Sequence, residues 1–284
     1  MTMPSTRFRL LHYPMMALVV VLLIAGLWAG LARMGWVLPA TRADLIASHG
    51  PLMVAGVLST LISLERVVAF VALRPARWKY VAYIGPVMTA IGSIVLAVGG
   101  PWAPAQFLFA AGSAVLVLLF TSVIYQLNAP YTIVMGVGAV CLFFGNVMWM
   151  TGQPIYVAVH WWIAFLVLTI VGERLELARI LHLSRKNQDT FIAAVLLFVL
   201  GTGITPFNLK AGIFLSGLGE IVLALWLFRY DIARMTIRKT GLPRFIAACL
   251  LAGYAWLAFS GALAMFSGEA RAGLYYDALL HSLF

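Results

Sequence analysis

The sequence predicts an all-α fold, a bundle of membrane-spanning helices, on three observations. Of its 284 residues 63% are hydrophobic and only 10% charged, which leaves too little polar surface to cover a water-soluble globule. The apolar residues fall in unbroken runs of about 20, the length a helix needs to cross hydrocarbon, whereas a barrel strand would show about 10 residues that alternate. The basic residues behind the formal charge of +10 form short clusters between these runs and not a stripe on a soluble face. The lipid bilayer is therefore the expected partner, and nucleic acid is not.

Each element follows from a run and its breakers. Arg7 and Arg9 precede the first run, residues 14–32. It has spanning length, no small-residue cleavage site and further runs behind it, so it reads as a helix and not a signal peptide. The second, 45–70, opens at Ser48-His49-Gly50-Pro51, and a proline near a helix start costs little. Gly99-Gly100-Pro101 separates 80–99 from 104–127, Asn128-Ala129-Pro130 opens 131–150, and Gln153-Pro154 opens 155–180. Thr205-Pro206 and Gly241-Leu242-Pro243 bound 190–205, 211–229 and 245–267, each a turn signal at a helix end. A tenth run begins near Ala272 and offers about 18 Å of helix against a core of about 30 Å. Leu279-Leu280-His281-Ser282-Leu283-Phe284 breaks off without a stop signal, which points to a fragment, with a re-entrant end as the alternative.

With the N-terminus inside, fifteen of the nineteen Lys and Arg fall on the inner side and only Arg33, Arg42, Lys210 and Arg271 on the outer. Cytoplasmic loops collect positive charge, so the expectation is a multi-pass protein of the bacterial inner membrane with a cytoplasmic N-terminus. Helices two, six and ten then run from outside to inside, and His49, His160 and His281 sit near their outer ends, 111 and 121 residues apart. Such spacing suggests, within one transmembrane domain of residues 1–284, a repeated four-helix unit: 14–127, 131–229 and an incomplete 245–284. Leu64-Glu65-Arg66 and Gly172-Glu173-Arg174 echo each other at the inner ends of helices two and six.

Imidazole is out of place in hydrocarbon without a partner, water or a ligand. Taken singly, the three histidines read as interfacial residues bonded to neighbouring helices; taken together they suggest a common site. A set of neutral imidazoles without nearby cysteines suits haem iron or copper better than structural zinc. Trp161, Trp162, Tyr275 and Tyr276 suit a flat macrocycle and an interfacial aromatic belt equally. Gly50 and Gly56 leave room beside the second helix for a macrocycle edge or a crossing helix. Glu65-Arg66 and Glu173-Arg174 read as ion pairs that anchor helix ends, or as an inner opening for protons. Glu220, in the middle of an apolar helix, fits a proton relay or a neutral interhelical hydrogen bond. Asn146 reads as an interhelical hydrogen-bonding residue, Arg33 and Asp44 as caps of an outer loop, and Cys141 and Cys249 as small membrane-buried residues.

Histidines on helices two, six and ten of a four-helix repeat resemble the haem-copper oxidase catalytic subunit, a twelve-helix bundle of three four-helix arcs. Ser48-His49-Gly50 with Met53 is similar to the context in which that family's second helix carries an axial ligand of the low-spin haem. A nearer likeness is to the NnrS-type nitric-oxide-response membrane proteins: His49, Met53 and Gly56 match the spacing that opens their second helix. Ala278-Leu279-Leu280-His281 is similar to their late histidine-bearing helix. Departures are equally specific. Pro51 and Leu52 replace the second histidine and the acid of the NnrS-type pattern, no His-His pair occurs in helix seven, helix six lacks His-Pro-Glu and its tyrosine, and Leu283 stands where a second histidine follows. A binuclear oxygen-reducing centre is therefore not expected.

The resemblance implies a haem-binding protein, with haem b held by His49 and His281 as an axial pair and His160 as a further haem or metal ligand, copper included. Its implied role is nitric-oxide response, with nitric oxide as a small gaseous ligand, or electron transfer; catalysis stays open. Compact loops, internal repetition and Glu220 are equally the marks of a proton-coupled secondary transporter of a small molecule, and a non-catalytic membrane scaffold is the third class.

Overall fold

The structure, a computed structural model, describes residues 6–39, 42–72, 76–181 and 183–284. Arg74 lies outside the described residues, as do the side chains of Arg7, Arg9, Arg77 and Lys79. No strand occurs among the described residues, and nine helices are long and apolar enough to cross a membrane. The all-helical bundle with nine full spans is thus what the chain forms. Two boundaries move for visible reasons. The seventh span begins at Arg185, five residues earlier than expected, because the Ser184 side chain accepts the Asn187 N–H at 3.4 Å and caps the helix there. The second begins at His49, because the short helix Ala43–Ala47 ends at Ser48, whose hydroxyl bonds back to Asp44 O at 2.8 Å.

The chain divides into two compact units. Unit one comprises residues 1–127 and 142–153, and holds α1 (Thr6–Arg33), α2 (Ala43–Ala47), α3 (His49–Pro51), a π-helix (Leu52–Leu58), α4 (Ser59–Ala72), α5 (Ala76–Ala97) and α6 (Trp102–Gln126). It also holds the second half of α7 (Pro130–Met150). On α1 Met15, Val19, Leu22, Gly26 and Ala29 are buried at helical spacing, while Val20, Val21, Ile24 and Leu27 face outward. That outward apolar face is what a lipid-facing helix needs. Gly85 of α5 and Gly112 of α6 let the two backbones meet, since a Cβ on Gly112 would stand 2.8 Å from Gly85 O. On α7 the buried Asn146 donates to Phe109 O at 3.1 Å and Ser113 Oγ at 3.2 Å.

Unit two comprises residues 128–141 and 154–284. It holds the first half of α7, then α8 (Ile155–Ala178), α9 (Arg185–Ile204), α10 (Leu209–Tyr230), α11 (Ala233–Thr236), α12 (Leu242–Ser267) and α13 (Leu274–Leu283). Small residues again set the crossings. Gly219 of α10 lies on Phe198 of α9, and Gly217 of α10 lies on Gly261 of α12. On α13 Leu279 packs with Ile213 and Ala264.

These contacts make glycines unequal. A Cβ on Gly219 would stand 2.6 Å from Phe198 Cα, whereas one on Gly203 meets nothing within 4 Å. Gly219→Leu is expected to cost about 1–3 kcal/mol or more through overpacking, lowering the thermal midpoint in detergent, while Gly203→Leu leaves it unchanged or raises it.

Candidate functional site

His49 opens the second span, and its ring Nδ1 lies 2.8 Å from Gly26 O of α1. A carbonyl only accepts, so Nδ1 carries the proton and the neutral ring has its lone pair on Nε2. The ring lies over Gly30, where a Cβ would stand 2.8 Å from His49 Cε1. One turn on, Met53 lies over Gly26 in the same way. The His-Met spacing that draws attention in the sequence therefore matches a Gly-xxx-Gly face of α1. The two glycines beside it differ: Gly56 is closed by Ser93 of α5, whereas a Cβ on Gly50 meets nothing within 4 Å. Pro51 brings no N–H to the helix ladder, and a π-helix runs from Leu52 to Leu58 directly after it; π stretches recur at functional sites. Thr60 then donates to Thr89 of α5 at 2.8 Å.

His160 and His281 belong to unit two. His160 is 6% exposed on α8, among Val157, Ala158, Val159 and Trp162. On α13 His281 Nδ1 lies 2.8 Å from Asp277 O, so Nδ1 carries a proton here too. Among the described residues no three of His, Cys, Asp and Glu gather into a group that could hold a metal ion.

The two Glu-Arg echoes turn out differently. Glu65 and Arg66 stand 3.8 Å apart with the carboxylate 66% exposed, a pair of little energetic weight. Arg174 instead makes a bidentate pair with Asp231, Nε to Oδ2 at 2.8 Å and Nη2 to Oδ1 at 3.2 Å. The Asp231 side chain is fully buried, and its Oδ1 also accepts the Ala233 N–H at 2.6 Å. Glu173, partly buried, is the residue next to Arg174 and not its ion-pair partner in that bidentate contact. Sequence reasoning missed Asp231, whose only local sign is an acid directly behind the apolar run of α10. In unit one Asp44 pairs with Arg42 at 3.1 Å. Desolvation works to raise that carboxyl's pKa, and the Arg42 hydrogen bond and charge outweigh it and hold it below the usual value.

Glu220 is 4% exposed midway along α10, beside Ser260 of α12, and its Oε2 makes no hydrogen bond. Tyr254, midway along α12 and 3% exposed, places its hydroxyl within reach of the buried Arg174–Asp231 pair. Tyr254 and His281 both line a cavity of about 370 Å³ whose remaining wall is largely apolar, Leu166, Val167, Ile170, Leu250 and Leu257 among it.

A family model described as a domain of unknown function, DUF8744, matches residues 9–284. No curated protein and no solved structure matches the chain.

Breaking a buried ion pair by removing one partner leaves the other charge uncompensated, at about 3–5 kcal/mol. Asp231→Asn is therefore expected to destabilise the protein by that order in a detergent melt. The double variant Arg174→Met with Asp231→Leu should recover most of the loss, and a double variant no more stable than the single would refute this assignment.

Proposed function

The chain belongs to the DUF8744 family, and on that premise we propose that it is a haem-binding, multi-pass protein of the bacterial cytoplasmic membrane, NnrS-like in kind, with its N-terminus in the cytoplasm. The observation that carries this reading is the setting of His49. Its Nδ1–H is held by Gly26 O, the arrangement that fixes ring orientation and raises ligand basicity in metal-bound histidines. Gly50 beside it faces open space, room of the kind a macrocycle edge needs. Haem would supply a redox-active iron that binds small gaseous ligands, for electron transfer or for handling nitric oxide. Toward it the chain provides the oriented imidazole and the small residue beside that imidazole. His160 and His281, which the resemblance adds as ligands, belong to unit two, and among the described residues no three of His, Cys, Asp and Glu form a group that could hold a metal ion.

Membranes overexpressing the protein are expected to show a Soret band that co-purifies with the chain and is lost in His49→Ala. A band that is absent, or unchanged in the variant, contradicts the reading.

Glu220 favours a second reading, proton-coupled transport. A carboxyl oxygen without a hydrogen bond deep inside a span is the usual mark of a proton relay in carriers. Here Glu220→Gln abolishes proton-coupled uptake into vesicles, and purified protein carries no chromophore.

A further inference from the structure

We propose that the segment joining α10 to α12 binds an acidic glycerophospholipid, its phosphate held by Arg238, Lys239 and Arg244 and an acyl chain lying on Leu242, Phe245 and Ile246. The site belongs wholly to unit two and stands independently of haem at His49.

The first ground is uncompensated charge. Five of the sixteen residues 229–244 are Lys or Arg, and the one acid among them is Asp231. Its side chain is buried and both its oxygens are engaged by Arg174, so it neutralises none of the five. Arg229, Arg234, Arg238, Lys239 and Arg244 are all exposed, and none has an ion-pair partner among the described residues. The start of α9 adds Arg185 and Lys186 to the same end of the unit, because Trp226 Nε1 of α10 donates to Asn187 O at 2.9 Å. Asp189 opposes them with a single negative charge.

The segment is also ordered. Asp231 Oδ1 accepts the Ala233 N–H at 2.6 Å, which starts α11. Backbone bonds carry the turn onward, Ile237 N to Ala233 O at 2.9 Å and Lys239 N to Thr236 O at 3.0 Å. Asp231 and Ala233 are buried, whereas Arg234, Met235, Arg238 and Lys239 are exposed. Positive charge on one side of a membrane calls only for basic residues. Here they stand on a turn pinned through Asp231 to Arg174 of α8.

Apolar side chains on the same segment select a lipid over a soluble anion. Leu242, Phe245 and Ile246 are 68%, 66% and 48% exposed, and the apolar span of α12 begins at Leu242. Arg244 therefore stands in the first turn of a span, where a long side chain keeps its charge by reaching back to the headgroup level. The ligand that suits this surface carries anion and hydrocarbon together. Nucleic acid offers the charge without the hydrocarbon. A lipid phosphate offers acceptor oxygens that the planar guanidinium groups match, and Lys and Arg clustered beside a spanning helix are the usual sign of acidic-lipid recognition.

Native mass spectrometry of the purified full chain tests this, with dioleoylphosphatidylglycerol or dioleoylphosphatidylcholine titrated in detergent, since the two lipids share their chains and differ in net charge. Phosphatidylglycerol is expected to bind at least about tenfold more tightly. The triple variant Arg238→Gln, Lys239→Gln, Arg244→Gln should lose that preference with its thermal midpoint unchanged, while Lys210→Gln, at the opposite end of α10, keeps it. Phe245→Ser retains every charge and should weaken phosphatidylglycerol binding about fivefold. Tripolyphosphate should not displace the lipid. Equal binding of the two lipids, a preference that survives the triple variant, a Phe245→Ser chain that binds as tightly as the original, or displacement by tripolyphosphate would overturn the proposal.

Discussion

Hydrocarbon offers a backbone amide or a side-chain hydroxyl no water to bond, and the rest of this structure depends on that constraint. Helices satisfy the backbone internally, and several β-hydroxyls follow suit by bonding back to their own helix. Ser93 donates to Thr89 O at 2.7 Å, Ser113 to Phe109 O at 2.8 Å and Thr169 to Phe165 O at 2.7 Å. With polar groups settled within helices, association comes from close contact, and close contact comes from glycine. The Gly85–Gly112 crossing in unit one and the Gly217–Gly261 crossing in unit two are two instances of one solution.

Against that background the polar groups that reach beyond their own helix are informative, four of them in particular. His49 reaches α1, Thr60 reaches α5, Asn146 reaches α6, and Arg174 reaches Asp231. His49 makes a structural contact through Nδ1 that also sets which nitrogen a metal would meet. Helix packing and the proposed ligand binding are therefore compatible for this histidine, because the first would orient it for the second. Glu220 is the opposite kind of residue: it is buried with a carboxyl oxygen that makes no hydrogen bond, and such an atom is where a proton is wanted.

The spans were legible because a run of about 20 apolar residues bounded by Gly and Pro has few other structures open to it. The break at Ser48 and the π-helix after Pro51 were not, since both depend on which carbonyls a bent helix leaves to be satisfied. Glu220 could be recognised as a buried acid from its neighbours alone. The pairing of Arg174 with Asp231 could not, because Asp231 lies 57 residues away and the adjacent Glu173 stands nearer in the chain. His49 stood out through its spacing to Met53, and only the fold showed that both side chains rest on Gly26 and Gly30, on the helix before them. Tyr254 carried no local sign at all, being one aromatic in an apolar run whose cavity is assembled from α8, α10, α12 and α13.

Whether His49 is a ligand through Nε2 is decided most directly by magnetic resonance at the iron. In protein purified with the proposed haem and labelled with ¹⁵N-histidine, the ferric state should show a ¹⁵N hyperfine coupling that disappears in His49→Ala and persists in His160→Ala. No histidine coupling, or one that survives the loss of His49, would contradict the account.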